Sequence, residues 1–346
     1  MYSENYRAIN EQYTDTVISN MQDVLFIASK WREDDYLWPF SDIDYRLVLK
    51  RETQTDLFEL NQKLCSIQLE LQHTNQSCMR ILEHPPGFIF FFDEIFDKYF
   101  EDFRIWTFAG GDKEAFGKFQ RALDISNEFD ESYYGNIIAK RFENFSLKTE
   151  FSDYPTAKLS VYNVYAALWH YYFPCLFALY SLHKRSSMGH KVDPLLIKDD
   201  VLRQSYEFLK NSSAEKVPYH FEQTVSRVDS VLLEVSKELG LDISKLKSTS
   251  HSITYGYAIA MLRTRPARLL LYLEEDGIDR KYLAEREINE LKMIFECIYT
   301  ETTHEILQIA LSTLYSEQST ESKLQAILSQ MYRNKLFYNN LMNSKR

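Results

Sequence analysis

Cysteine, glycine and net positive charge are scarce in this chain, and each scarcity excludes something. Its 346 residues hold four cysteines, Cys65, Cys78, Cys175 and Cys297, at scattered spacings. They form neither a disulfide framework nor a metal-binding cluster, and they suit a reducing, cytoplasmic setting. Lys and Arg number 40 against 50 Asp and Glu, a formal net charge of −10. Without a basic face there is little to neutralise a phosphate backbone, so nucleic acid is not an expected partner. A cationic partner or substrate suits the acidic balance better. The longest apolar stretch, residues 161–182, is broken by Asn163, His170 and Pro174 and carries six Tyr or Trp, which argues against a membrane span. The opening Met1-Tyr2-Ser3-Glu4-Asn5 has no basic region leading into an apolar one, so no signal peptide is expected. The eight histidines show no metal-ligand spacing and form no Ser-His-Asp or Cys-His set. Nine glycines and eight prolines punctuate the chain without any low-complexity tract or repeat.

With 45% hydrophobic residues, a large core is within reach. The most informative segment is Ser41-Asp42-Ile43-Asp44-Tyr45-Arg46-Leu47-Val48-Leu49, an Asp-x-Asp inside an apolar run. On a β-strand alternate residues share a face, so Asp42 and Asp44 are expected to project together, with Ile43, Tyr45 and Leu47 on the other side. Two adjacent carboxylates repel unless a cation lies between them. Hard oxygen ligands at this spacing suit Mg²⁺ carrying a nucleotide's phosphates. The plainer reading of the same motif is a solvated edge strand.

Periodicity predicts a helix over 6–21, a strand at 24–27, a helix over 53–75, and strands at 79–83 and 88–93 about a His84-Pro85-Pro86-Gly87 turn. A short helix carrying Ile95, Tyr99 and Phe100 and a last strand at 103–108 follow, closed by Ala109-Gly110-Gly111-Asp112. Beyond that the pattern is helical. The expected fold class is α+β, a small mixed sheet followed by a large all-helical region, with units at 1–125, 126–214 and 215–346. The cluster Arg263-Thr264-Arg265-Pro266-Ala267-Arg268 beside a helix break could meet phosphate, but such arginines more often pair with acids.

The order strand, small-residue turn, loop, Asp-x-Asp resembles the polymerase-beta nucleotidyltransferase superfamily. Ser29 matches the family's serine, while Ala28 stands where glycine is usual. The resemblance implies a third carboxylate on a neighbouring strand. Glu83 is the first candidate and Asp93 the second. Phe92-Asp93-Glu94-Ile95-Phe96-Asp97-Lys98-Tyr99 is similar to a segment of the kanamycin nucleotidyltransferase-like enzymes, in which the third acid lies just upstream, where Ile89 or a neighbouring phenylalanine stands here. Arg141-Phe142-Glu143-Asn144-Phe145-Ser146-Leu147-Lys148 is similar to the head of their helical domain, although Glu143 and Lys148 stand five apart instead of four. Residues 17–210 carry the likeness, and 215–346 have no counterpart in it.

This resemblance implies a nucleotidyl transfer in which ATP or another NTP is the donor and a hydroxyl of a small molecule the acceptor. Asp42, Asp44 and Glu83 would hold Mg²⁺, with two cations stabilising the attacking and leaving oxygens. Ser29 and Lys148 would contact the phosphates, and Glu143 or Glu83 would take the hydroxyl proton. An oligomer is compatible with it. Two alternatives stand beside it: the same fold modifying a protein or RNA end, and a catalytically degenerate binding or scaffold protein.

Overall fold

The structure, a computed structural model, describes residues 2–32, 35–36, 41–50, 56–75, 78, 81–82, 87–97, 100–125, 128–146, 171–189, 221–243, 254–274, 280–299 and 304–344. Helix α1 (Tyr2–Asn20) opens the chain and buries Tyr6, Ile9, Tyr13 and Val17, spaced three or four apart, against the sheet. The sheet comprises β1 (Val24–Lys30), β2 (Tyr45–Leu49), β3 (Phe88–Phe91) and β4 (Trp106–Gly111) in the order β3-β2-β1-β4. Strand β1 runs antiparallel to β2 and β4, and β2 runs parallel to β3. A parallel pair needs a crossover, and α2 (Leu57–Thr74) lies in it, started by Asp56, whose carboxylate accepts from the Phe58 and Glu59 amides. The chain is therefore α+β as expected, with a small mixed sheet near the N-terminus and a mostly helical remainder.

The two sheet faces follow from cross-strand register. Gly110 pairs with Ile27, and a Cβ on Gly110 would lie 2.9 Å from Thr14 Cβ of α1, so this pair faces α1. By alternation Ser29, Tyr45 and Leu47 face the same way, whereas Ala28, Arg46 and Phe88 face the opposite side. There Phe90, Phe103, Trp106 and Phe119 pack as one aromatic cluster, with Phe119 supplied by α4 (Lys113–Ile125).

Three expected elements differ. Cys78 and Ile81 are helical and Leu82 lies in a turn, instead of a strand at 79–83. The Leu82 carbonyl accepts from the side-chain amides of Gln68 and Gln72, which supply what a strand ladder would have supplied. Residues Glu101–Ile105 form a 3₁₀ turn, so the last strand begins at Trp106; the turn carries Glu101 and Asp102 into the interior. The short helix α3 (Glu94–Asp97) carries Ile95 but not Phe100, and Tyr99 lies outside the described residues.

The remaining helices are α5 (Glu131–Ser146), α6 (Phe173–Lys184), α7 (Phe221–Glu238), α8 (Tyr255–Leu262), α9 (Arg265–Glu274), α10 (Arg280–Ile298), α11 (His304–Tyr315), α12 (Thr320–Arg333) and α13 (Lys335–Asn343). No helix among the described residues is long and apolar enough to cross a membrane. Helices α8 to α13 share one continuous hydrophobic core with the sheet, α9 packing on α2 and α8 on β3. At the break between α8 and α9, Asn61 of α2 donates to the Arg263 carbonyl at 2.7 Å and accepts from the Ala267 amide at 3.0 Å.

The arginine cluster at this break pairs with acids. Arg263 makes a two-pronged bond to Glu94 at 2.6 and 2.8 Å and also donates to the Ile89 and Met342 carbonyls. Arg265 and Arg268 both meet Glu287 and Glu290 of α10. Removing one partner of a buried pair strands the other, so Arg263→Ala should cost about 3–5 kcal/mol in chemical denaturation. Arg185→Ala, which opens the exposed pair to Glu131, should cost less than about 1 kcal/mol. Equal losses from the two variants would refute the assigned role of Arg263.

Candidate functional site at one end of the sheet

The ladder between β1 and β2 continues one pair past β2, because the Lys30 amide donates to the Asp44 carbonyl at 2.9 Å. Asp42 and Asp44 thus precede β2 instead of lying on it, a correction to the expected strand placement. Cross-strand neighbours point the same way, which puts Lys30, Asp44 and Arg46 on one face. Both aspartates are half-buried, and among the described residues no hydrogen bond or ion pair reaches the Asp44 carboxylate.

Aromatic residues pin this segment to the sheet. The Tyr6 hydroxyl of α1 donates to the Ser41 carbonyl at 2.7 Å, and its ring stacks on Tyr36 with centroids 5.4 Å apart. Tyr36 donates to the Lys30 carbonyl at 3.0 Å. Burial above all, with the Asp44, Asp42 and Asp35 charges adding to it, raises the Tyr36 phenol well above its ordinary pKa. Just past β1, Trp31 takes a left-handed backbone with φ of 74°, uncommon for a bulky side chain. Its amide donates to the Ile105 carbonyl at 3.0 Å, and its ring meets Phe177 of α6 edge-on at 4.9 Å.

Behind Asp44 lies a buried charge network centred on Asp102. Its carboxylate accepts from Arg46 Nε at 3.2 Å, Trp106 Nε1 at 3.0 Å and the Tyr133 hydroxyl of α5 at 3.3 Å, and it pairs with Lys30 Nζ at 3.3 Å. Burial alone would raise the Asp102 pKa; Arg46 and then Lys30, with the Trp106 and Arg46 hydrogen bonds, outweigh it and hold the carboxyl well below the usual range. Burial would lower the Arg46 pKa, but Asp102 first and Asp44 second raise it. The Arg46 guanidinium also lies over the Phe88 ring, 4.4 Å from its centroid.

The predicted site residues are only partly gathered. Asp42 and Asp44 share one segment. Ser29 sits at the same end of the sheet but faces α1, its hydroxyl directed to the Trp31 carbonyl at 3.4 Å. Glu83 and Lys148 lie outside the described residues. The parallel register of β2 and β3 runs from Arg46 opposite Phe88 to Leu49 opposite Phe91, so Asp93 follows the far end of β3, roughly 20 Å from Asp44. The strand Phe88-Ile89-Phe90-Phe91 itself offers no acid. Glu143 lies on α5, ten residues and about 15 Å of helix axis beyond Tyr133. Among the described residues no three His, Cys, Asp or Glu side chains are gathered to hold a metal. Lys30, Arg46 and Asp102 were not singled out from sequence; the available signal was a lone arginine inside the apolar run Tyr45–Leu49.

No family model, curated protein or solved structure matches the chain.

The depressed Asp102 pKa fixes a pH dependence. Its stabilisation is complete above the unfolded carboxylate's pKa of about 4 and is lost as pH falls toward the lower folded value. Asp102→Asn should therefore lose about 3–5 kcal/mol at neutral pH. Urea denaturation between roughly pH 4 and pH 2 should then show a flatter decline for the variant than for the unaltered chain. Parallel declines would remove Asp102 as the acid-sensitive group.

Proposed function

We propose that this chain is a magnesium-dependent nucleotidyltransferase that moves a nucleoside monophosphate from ATP or another NTP to a hydroxyl of a small molecule. The observation that carries the reading is Asp42 and Asp44 on one half-buried segment at the end of the antiparallel β1–β2 pair, with Lys30 beside Asp44 on the same face. The fit to magnesium rests on donor chemistry: two half-buried carboxylates on one segment, with no hydrogen bond or ion pair on the Asp44 carboxylate among the described residues. Asp42 and Asp44 would hold the ion, which when bound would offset the phosphate charge that these carboxylates otherwise repel.

The chain's other groups bind and orient. Lys30 keeps 23% of its side chain exposed and can turn its ammonium toward phosphate oxygens while Asp102 retains Arg46. Ser29, facing α1, secures the turn into Trp31. By the likeness to kanamycin-type enzymes, Lys148 screens the triphosphate and Glu143 takes the proton of the acceptor hydroxyl as it attacks the α-phosphorus and pyrophosphate leaves; Glu83 is the other candidate base. A second reading, a nucleotide-binding protein without catalysis, draws on the acid-free strand β3.

Isothermal titration with ATP and Mg²⁺, alongside a pyrophosphate-release assay, separates the readings. Binding with release supports transfer, binding alone supports the second reading, and no binding at millimolar nucleotide overturns both. Mg²⁺ with nucleotide should raise the melting temperature, since a ligand selective for the native state stabilises it. Asp44→Ala should abolish that rise and the activity while the fold persists. Glu143→Gln should cut turnover about 10²- to 10⁴-fold with nucleotide affinity nearly unchanged. Full turnover in that variant would shift the base assignment to Glu83.

A further inference from the structure

We infer that the aspartate pair takes a single divalent cation, its flanks on the sheet being already occupied by two cationic side chains, Arg46 and Lys30. This rests on the nucleotidyltransferase reading and concerns how that site manages phosphate charge. On the β3 side of Asp44, the Arg46 guanidinium lies over the Phe88 ring, and its Nη1 stands 3.0 Å from where a Cβ on Gly87 would be. That flank is filled, and by a positive group. On the β1 side, Lys30 sits opposite Asp44, its amide bonded to the Asp44 carbonyl. Asp102, with only 4% of its side chain exposed, pairs with both cations and holds the buried Arg46 in place.

A second magnesium ion needs oxygen ligands of its own at near-octahedral geometry. Among the described residues the further carboxylates at this end are already engaged, Asp35 by the Arg32 amide and Asp102 by Arg46 and Lys30. Like-charge repulsion from Arg46 and Lys30 disfavours it further. The guanidinium and ammonium instead supply part of the positive field that a second metal would bring, without a metal-binding step. Lys30, the more exposed of the two, is the one placed to meet phosphate oxygens.

The test counts metal. Mn²⁺ is titrated into the full chain with saturating α,β-methylene-ATP, and free Mn²⁺ is followed by its electron paramagnetic resonance. One ion per chain, with affinity lost in Asp44→Ala, supports the inference. Two ions per chain overturn it and leave the nucleotidyltransferase reading standing; none overturns that reading itself. Asp102→Asn removes the acid that balances Arg46 and Lys30, so it should weaken Mn²⁺ binding by roughly tenfold. Unchanged affinity in an Asp102→Asn chain with unaltered near-ultraviolet circular dichroism refutes the role of the two cations. Should that variant fail to fold, Lys30→Gln carries the same test with opposite sign: tighter Mn²⁺ binding supports the inference, and unchanged binding overturns it.

Discussion

One buried carboxylate organises the end of the sheet where the aspartates lie. An isolated charge as buried as Asp102 would be costly, and a single cation would leave part of its acceptor capacity unmet. Four donors converge on it, from β1, β2, β4 and α5. Their convergence fixes the relative positions of those elements. Asp102 reaches them because residues 101–105 coil into a 3₁₀ turn instead of extending the strand. The neighbouring Glu101 does the same for α5 through Tyr134, whose hydroxyl donates to it at 2.6 Å. The placement of Lys30 and Arg46 around Asp44 is a consequence of this network and not of the strand pattern alone.

A second ionic arrangement ties the C-terminal helices to the sheet. Arg263, Arg265 and Arg268 are all buried, each facing carboxylates from another element. Buried pairs of this kind contribute little net stability against an apolar alternative, but they are strongly directional. The Glu94 pair fixes the α8–α9 break over β3, and the pairs to Glu287 and Glu290 fix α10 against α9. The apolar faces of α2, α9 and α12 then close one core that spans the first and last thirds of the chain.

How much of this was legible follows from the range of each interaction. The runs Val24-Leu25-Phe26-Ile27 and Phe88-Ile89-Phe90-Phe91 announce strands because burial on both faces requires apolar residues at every position. The helix over 53–75 was equally plain, since Leu57, Leu60, Leu64, Ile67 and Leu71 recur at helical spacing. Residues 79–83 also look like a strand, yet Gln68 and Gln72 capture the Leu82 carbonyl, and local pattern carries no trace of such partners. Within the site, the Asp-x-Asp motif was visible, but its offset from β2 was not, since Tyr6 and Tyr36 set it from other segments. Arg46 and Asp102 stand 56 residues apart, so their pairing is written in the fold and not in any window of sequence. The arginine cluster is a middle case: pairing with acids was foreseeable from composition, the identity of those acids was not.

Asn61 carries a consequence for how the chain is made. Its side chain sits in the middle of α2 and binds backbone groups 202 and 206 residues later. Until residues 263–267 have been made, that amide has only the Leu57 carbonyl of its own helix to bond. Contacts of such long sequence separation close late and slow the search for the native state. The first third of this protein therefore completes these two bonds only once residues 263–267 have been made.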